Sequence, residues 1–144
     1  MKVKNLFVFT DGGARGNPGQ GAIGIYITNE EKKEIAGFGK KIGHATNNVA
    51  EYRAVIEALL WIKEHQEEIE KNAKIYFFLD SRLVCSQISG VFKVKDAGLR
   101  SLLFMVHQKE AEINLPISYS HIPREQNTKA DFFVNAALDR AELD

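Results

Sequence analysis

The spacing of apolar and polar positions changes several times along the chain, and each change marks an element. Leu6-Phe7-Val8-Phe9-Thr10 is a short apolar, β-prone run and predicts a strand. Asp11-Gly12-Gly13-Ala14-Arg15-Gly16-Asn17-Pro18-Gly19 is turn chemistry. Ala22 to Thr28 and Glu34 to Ile42 predict two more strands, joined through Asn29-Glu30-Glu31-Lys32, and the three read as an antiparallel meander. From Asn48 to Glu70 the period becomes helical, with Val55, Ala58, Leu59 and Ile62 on one stripe. Ile75-Tyr76-Phe77-Phe78-Leu79 is wholly apolar, which predicts a central strand buried on both faces. Ser81 to Ile88 reads as a short helix stopped at Gly90. Leu99 to Glu112 reads as another, with Leu102, Leu103 and Val106 turned inward and Met105 a further candidate. Ile117 to Ser120 predicts a short strand and Asn127 to Glu142 a last helix. The order βββαβααβα is that of an α/β layered domain, a mixed sheet with helices on its faces.

Composition narrows the class. With 144 residues, 44% apolar and 26% charged, residues 1–144 are expected to form one domain with a sizeable core, not a collagen, a disordered tail or a disulfide scaffold. No apolar run approaches the roughly 20 residues needed to span a bilayer, and the first residues lack a leader pattern. Cys85 is the only cysteine, so no intramolecular disulfide can form. The expectation is a cytoplasmic monomer that does not engage membranes. The 19 basic and 19 acidic residues cancel, which at first argues against a polyanionic partner. The cancellation is a sum over patches, however: residues 1–50 carry seven basic and four acidic groups, and residues 51–80 carry four and seven. Arg82, Lys93, Lys95 and Arg100 against Asp96 form a further basic patch.

The carboxylates are unusually placed. Two apolar strands run directly into an aspartate, Phe-Val-Phe-Thr-Asp11 and Phe-Phe-Leu-Asp80, and a carboxylate beside a buried strand has to be paired, metal-bound or shifted in pKa. Each alone could be a turn residue, and Asp80 could cap the helix that starts at Ser81. Glu51 shares the apolar stripe of its helix, where a lone Glu needs compensation; Asn48-x-x-Glu51 also spells a capping box. Asp131 falls in the first turns of the last helix, where the dipole mildly favours it. Were these four to meet, they would need cations, and an all-oxygen set suits Mg²⁺ or Mn²⁺ rather than zinc. Two such ions could serve an in-line phosphoryl displacement.

Taken in order, Thr10-Asp11-Gly12-Gly13-Ala14-Arg15-Gly16-Asn17-Pro18-Gly19, Thr46-Asn47-Asn48-Val49-Ala50-Glu51, Leu79-Asp80-Ser81 and His121 through Asn127 to Asp131 resemble type 1 ribonuclease H over essentially the whole chain. The resemblance implies a ribonuclease H-like fold, with a five-stranded mixed sheet of three antiparallel and two parallel strands and helices on both faces. It implies cleavage of the RNA strand of RNA/DNA hybrids with two Mg²⁺ ions, Mn²⁺ being a possible substitute, leaving 3′-hydroxyl and 5′-phosphate ends. Asp11, Glu51, Asp80 and Asp131 would be the metal-binding catalytic carboxylates. His121, in the loop-like stretch His-Ile-Pro-Arg-Glu-Gln-Asn, would assist proton transfer or product release.

The same resemblance places Gly12, Gly16, Asn17, Asn47, Asn48 and Asn127 among the substrate-binding residues. The minor-groove Asn residues would sense the 2′-hydroxyl, a group both donor and acceptor. Thr46, beside a helix N-terminus, would seat a DNA-strand phosphate. Arg82 stands where relatives have a polar amide, and with Lys93, Lys95 and Arg100 it would replace the basic insertion and the extra hybrid-binding domain of some relatives, for which there is no counterpart between Asp80 and His121 or elsewhere. Broader cleavage that includes double-stranded RNA, and a non-catalytic nucleic-acid-binding module, are the alternatives. Gly19-Gln20-Gly21-Ala22-Ile23-Gly24 spells GxGxxG but opens a strand, so it is no dinucleotide site. Cys85, Trp61 and most Phe residues read as packing residues. His44, His65 and His107 match no motif. Neutralising four carboxylates with two divalent ions would leave the chain near about +4, so the balanced charge does not oppose nucleic acid.

Overall fold

The computed structural model describes residues 2–140. The chain runs β1 (Val3–Arg15), β2 (Gly19–Thr28), β3 (Glu34–Ala45), α1 (Asn47–Glu64), β4 (Ile69–Leu79), α2 (Arg82–Ile88), α3 (Ala97–Ile113), β5 (Ile117–His121) and α4 (Thr128–Asp139), with single 3-10 turns at Gln66–Glu68 and Arg124–Gln126. The sheet order is β3-β2-β1-β4-β5. β1, β2 and β3 pair antiparallel, whereas β1–β4 and β4–β5 are parallel. This is the five-stranded mixed sheet that the sequence led us to expect. The last predicted helical residues, 141 and 142, lie outside the described residues.

The core lies between the sheet and α1. Leu6, Val8, Ile23, Ile25, Ile27, Phe77 and Leu79 point from one sheet face onto Val55, Ala58, Leu59 and Ile62, all fully buried. α3 packs against α1 on that side, through Val106 and partly buried Leu102 and Leu103. Met105 faces outward instead, at 39% exposure. α4 covers the opposite face over β2, β3 and β1.

Glycines let both helices descend onto the backbone. A Cβ on Gly12 would lie 2.2 Å from the carbonyl carbon and oxygen of Ala50 in α1. On the other face, a Cβ on Gly24 would lie 2.0 Å from the Ala130 carbonyl oxygen, and one on Gly39 2.2 Å from that of Phe133. The Phe133 ring packs on Gly37, while neighbouring Phe132 is 62% exposed.

Several sequence expectations change, among them the helix expected to run to Glu70, which ends at Glu64 because Ile69 already opens β4. β1 does not end at Asp11; it continues to Arg15, because Asp11 to Arg15 pair with Gly24 to Gln20 and the glycines leave room for α1 and α4. β4 begins at Ile69 and is buried on one face only: Tyr76 and Phe78 are half-exposed, because α4 packs chiefly over β2, β3 and β1. Phe7, Phe9, Tyr26, Tyr76 and Phe78 instead stack against one another across that open face. Accordingly Phe77 is core, but Phe92, Phe104 and Phe132 are exposed. α1 starts at Asn47 with Thr46 as its cap, whose Oγ1 accepts from the Val49 N–H at 3.2 Å, so Asn48-x-x-Glu51 is not a capping box.

Candidate functional site

The site grows from the parallel pairing of β1 with β4. The register sets Thr10 beside Leu79, so Asp11 and Asp80, the next residues of each chain segment, emerge side by side. Asp80 does not cap α2; the Ser81 hydroxyl does, accepting from the Val84 N–H at 3.2 Å. Gly12 admits the backbone of α1 so closely that Glu51, on the helix's buried stripe, reaches Asp11. One carboxylate oxygen from each of Asp11, Glu51 and Asp80 lies within 4.8 Å of the others. Asp131 lines the same cleft but stands outside that tight group. It is delivered by Gly24, which pairs directly across from Asp11 and receives the Ala130 carbonyl.

Burial makes this cluster electrostatically tense. Asp11 is 8% and Glu51 6% exposed. Loss of solvation pushes the Asp11 carboxyl up to about 7; a hydrogen bond from Glu51 opposes the rise, and the charges of Asp80 and Asp131 add to it. Glu51 is driven well above the ordinary carboxylate range by burial first, then by the Asp11 charge. The Gly12 N–H donates to Asp11 Oδ1 at 2.9 Å, whereas the buried Glu51 Oε2 meets no donor. A buried acceptor with no donor, in an all-oxygen group crowded with negative charge, fits a hard divalent cation. Asp11, Glu51 and Asp80, with Asp131 beside them, are the residues that could hold it.

The neighbouring wall is the β1–β2 turn against the start of α1. Asn17 Oδ1 accepts from the Asn47 N–H at 3.0 Å, and Asn47 Oδ1 accepts from the Ala14 N–H at 2.9 Å. Their oxygens are thus used to knit turn to helix, and the exposed amides face solvent chiefly as donors. Gly16 has φ +83 in this turn, a conformation glycine adopts without strain. Thr46 is exposed, its oxygen engaged as the α1 cap, and Asn48 is half-buried on the cleft wall.

Other expected site residues fall elsewhere. Gly12 is buried under α1 and seats the helix, although it also lines the cleft beside Asp11. Asn127 is 1% exposed and hydrogen-bonded inward, to the Thr10 carbonyl and to Asp80, which takes it out of reach of a ligand in the cleft. His121 is the last residue of β5, paired with Leu79, and not part of a loop; it is exposed and outside the cleft lining. Arg82, Lys93, Lys95 and Arg100 are exposed along α2, the following segment and α3, also outside the lining. Sequence reasoning missed Arg124 and Asn135, which line the cleft. Arg124 lies inside the His121–Asn127 stretch, and that position was the available signal.

Fold and site together define an α/β domain whose mixed sheet carries an oxygen-only carboxylate cluster that could hold a metal ion. Residues 3–139 match the RNase H family, and the chain belongs to it. It is similar to ribonuclease HI of Halobacterium salinarum, with 35% identity over 94% of this chain and 65% of that protein. It is also similar to the bifunctional protein Rv2228c of Mycobacterium tuberculosis, with 36% identity over 98% of this chain. The chain spans about a third (36%) of the length of that protein and of two similar mycobacterial relatives. Among solved structures, LC11-RNase H1, isolated from compost, superposes with a TM-score of 0.90 at 37% identity, covering 95% of this chain and 97% of that one. LC11-RNase H1 has also been solved in complex with RNA/DNA hybrid. No helix among the described residues is long and apolar enough to cross a membrane.

Proposed function

We propose that this chain is a metal-dependent endoribonuclease that hydrolyses the RNA strand of RNA/DNA hybrids, leaving 3′-hydroxyl and 5′-phosphate ends. The observation that carries this reading is the convergence of Asp11, Glu51 and Asp80 in one cleft with a buried, donorless oxygen on Glu51. Asp11, Glu51, Asp80 and Asp131 would hold two Mg²⁺ ions, or Mn²⁺ in their place. Bound there, the ions would supply an activated water and charge stabilisation at the leaving oxygen.

The remaining roles belong to the chain's own residues. Asn17 and Asn47, their oxygens occupied, donate from the turn wall toward the minor groove, and backbone carbonyls of that turn supply the acceptors a 2′-hydroxyl also needs. Asn48 completes this wall. The Thr46 hydroxyl, whose oxygen already accepts, offers its proton to a phosphate at the start of α1. Arg82, Lys93, Lys95 and Arg100 track phosphates further along the duplex. His121, exposed at the end of β5 and paired with Leu79, the residue before Asp80, assists proton transfer or product departure. The LC11-RNase H1 complex with RNA/DNA hybrid supports the choice of substrate.

A strand-labelled hybrid, incubated with Mg²⁺ or with EDTA beside double-stranded RNA and double-stranded DNA, tests the proposal. Cleavage of the RNA strand only, abolished by EDTA and by Asp80→Asn in a protein that still folds, is the expected result. Near-wild-type cleavage by Asp80→Asn, or metal-independent binding without cutting, would overturn it. Equal cutting of double-stranded RNA would instead establish the broader specificity.

A further inference from the structure

Asn127 ends the turn Arg124–Gln126 and begins α4, with φ −116 and ψ 32. An asparagine at a helix start ordinarily turns its side-chain oxygen back to accept an N–H of the first turn. Asn127 makes no such cap, and its Oδ1 is buried without a partner. The amide points into the sheet instead, where Nδ2 donates to the Thr10 carbonyl at 2.9 Å and to Asp80 Oδ2 at 3.0 Å. Both partners can only accept, so the orientation of the amide is determined. Turned over, Oδ1 would face two oxygens. Forgoing the cap and stranding Oδ1 make sense only if the two donated bonds matter more.

The backbone of the same residue completes the picture. Its carbonyl accepts from the Asp131 N–H at 3.1 Å, and its N–H donates to the Arg124 carbonyl at 2.9 Å. Asn127 is therefore bonded to the residue preceding Asp11, to the carboxylate of Asp80 and to the backbone of Asp131. These come from β1, from the end of β4 and from α4: the 1%-exposed side chain joins the first two, and the backbone carbonyl of the same residue carries the third. Asp80 is repelled by its acidic neighbours, and a neutral donor can hold one of its oxygens without adding charge to the cluster.

We propose that Asn127 is a positioning residue for the carboxylate cluster: its amide fixes the Asp80 carboxylate and pins the first turn of α4, and with it Asp131, against β1. The inference rests on reading the cluster as a divalent-cation site. Removing such a support should weaken cation affinity about 10–100-fold, as for other residues behind metal ligands. Asn127→Asp keeps the shape but turns acceptors toward Asp80, so it should lose at least as much as Asn127→Ala.

The experiment titrates Mn²⁺ into wild type, Asn127→Asp and Asn127→Ala without nucleic acid, after thermal unfolding in EDTA has identified the variants that fold. Steady-state cleavage of hybrid is measured in parallel. The expected result is Mn²⁺ affinity lowered 10–100-fold, with kcat reduced and KM for hybrid within about 2-fold, since the buried amide does not touch the duplex. Folded variants that bind Mn²⁺ as tightly as wild type, or a loss confined to KM, would overturn the proposal. Should neither variant fold, the side-chain amide resonances of Asn127 in wild type decide: they should shift as Mg²⁺ is added, and unmoved resonances would refute the role. A wild-type chain that binds Mn²⁺ but does not cut hybrid would defeat the functional reading, while the titration would still judge Asn127.

Discussion

Gly12→Ala adds one methyl group at the contact that brings Glu51 to Asp11. The new Cβ would stand 2.2 Å from the carbonyl carbon and oxygen of Ala50 and 2.6 Å from the Glu51 nitrogen. All three atoms are helix backbone, so no side chain can swing aside. α1 would have to retreat by about 0.8 Å to open that gap to 3.0 Å, and by about 1.2 Å for ordinary contact at 3.4 Å. Overpacking of this kind costs about 1–3 kcal/mol, and α1 also carries much of the core, so a Tm lowered by roughly 3–10 °C is expected. The same retreat moves Glu51 away from Asp11 and Asp80 by about 1 Å, a displacement worth roughly 10²-fold in rate. Differential scanning calorimetry with hybrid cleavage under saturating Mg²⁺ reads both effects. A variant with wild-type Tm and cleavage within about 2-fold of wild type would show that the Gly12 contact does not set the position of Glu51.

Further predictions concern charge. Asp11 titrates near 3.8 unfolded but is raised to about 7 by burial in the fold. The unfolded chain therefore releases a proton that the metal-free fold retains, and stability should fall as pH rises from about 4 to about 7, by up to about 4 kcal/mol, with Glu51 acting in the same direction. Divalent cations bind the ionised form, so the gain in Tm on adding Mg²⁺ should be larger at about pH 8 than at about pH 5. An equal gain at both would contradict the tension described for the cluster. Replacing Lys93, Lys95 and Arg100 together by Ala should reduce the slope of log K against log salt for hybrid binding by up to about 3. An unchanged slope would move the phosphate track elsewhere.

Periodicity located most elements because burial against one core is a local pattern: Val55, Ala58, Leu59 and Ile62 share a stripe, and all four are fully buried. That stripe also marked Glu51 as a carboxylate out of place, and Glu51 proved to be buried. The apolar runs entering Asp11 and Asp80 were legible for the same reason. Where the sequence misled, a neighbour that it does not display had intervened. Asp11 to Arg15 spell a turn, yet they lie in β1 because β2 pairs with them and two helices settle on Gly12 and Gly24. Tyr76 and Phe78 read as core, yet α4 packs chiefly over β2, β3 and β1 and leaves their face half-exposed.

Sequence by itself determined which residues carry carboxylates, which face of each element is apolar, and the family pattern that the motifs follow. Only the tertiary structure decided that Asp11, Glu51 and Asp80 meet while Asp131 stands just outside them. It also decided that Gly12 seats a helix, and that Asn127 turns away from its own helix to hold Asp80. The physical reason is that a side chain's period reports its place on its own element. What it touches depends on strand register and on how closely two backbones can approach, and here those were set by the β1–β4 pairing and by the absence of a Cβ at Gly12 and Gly24.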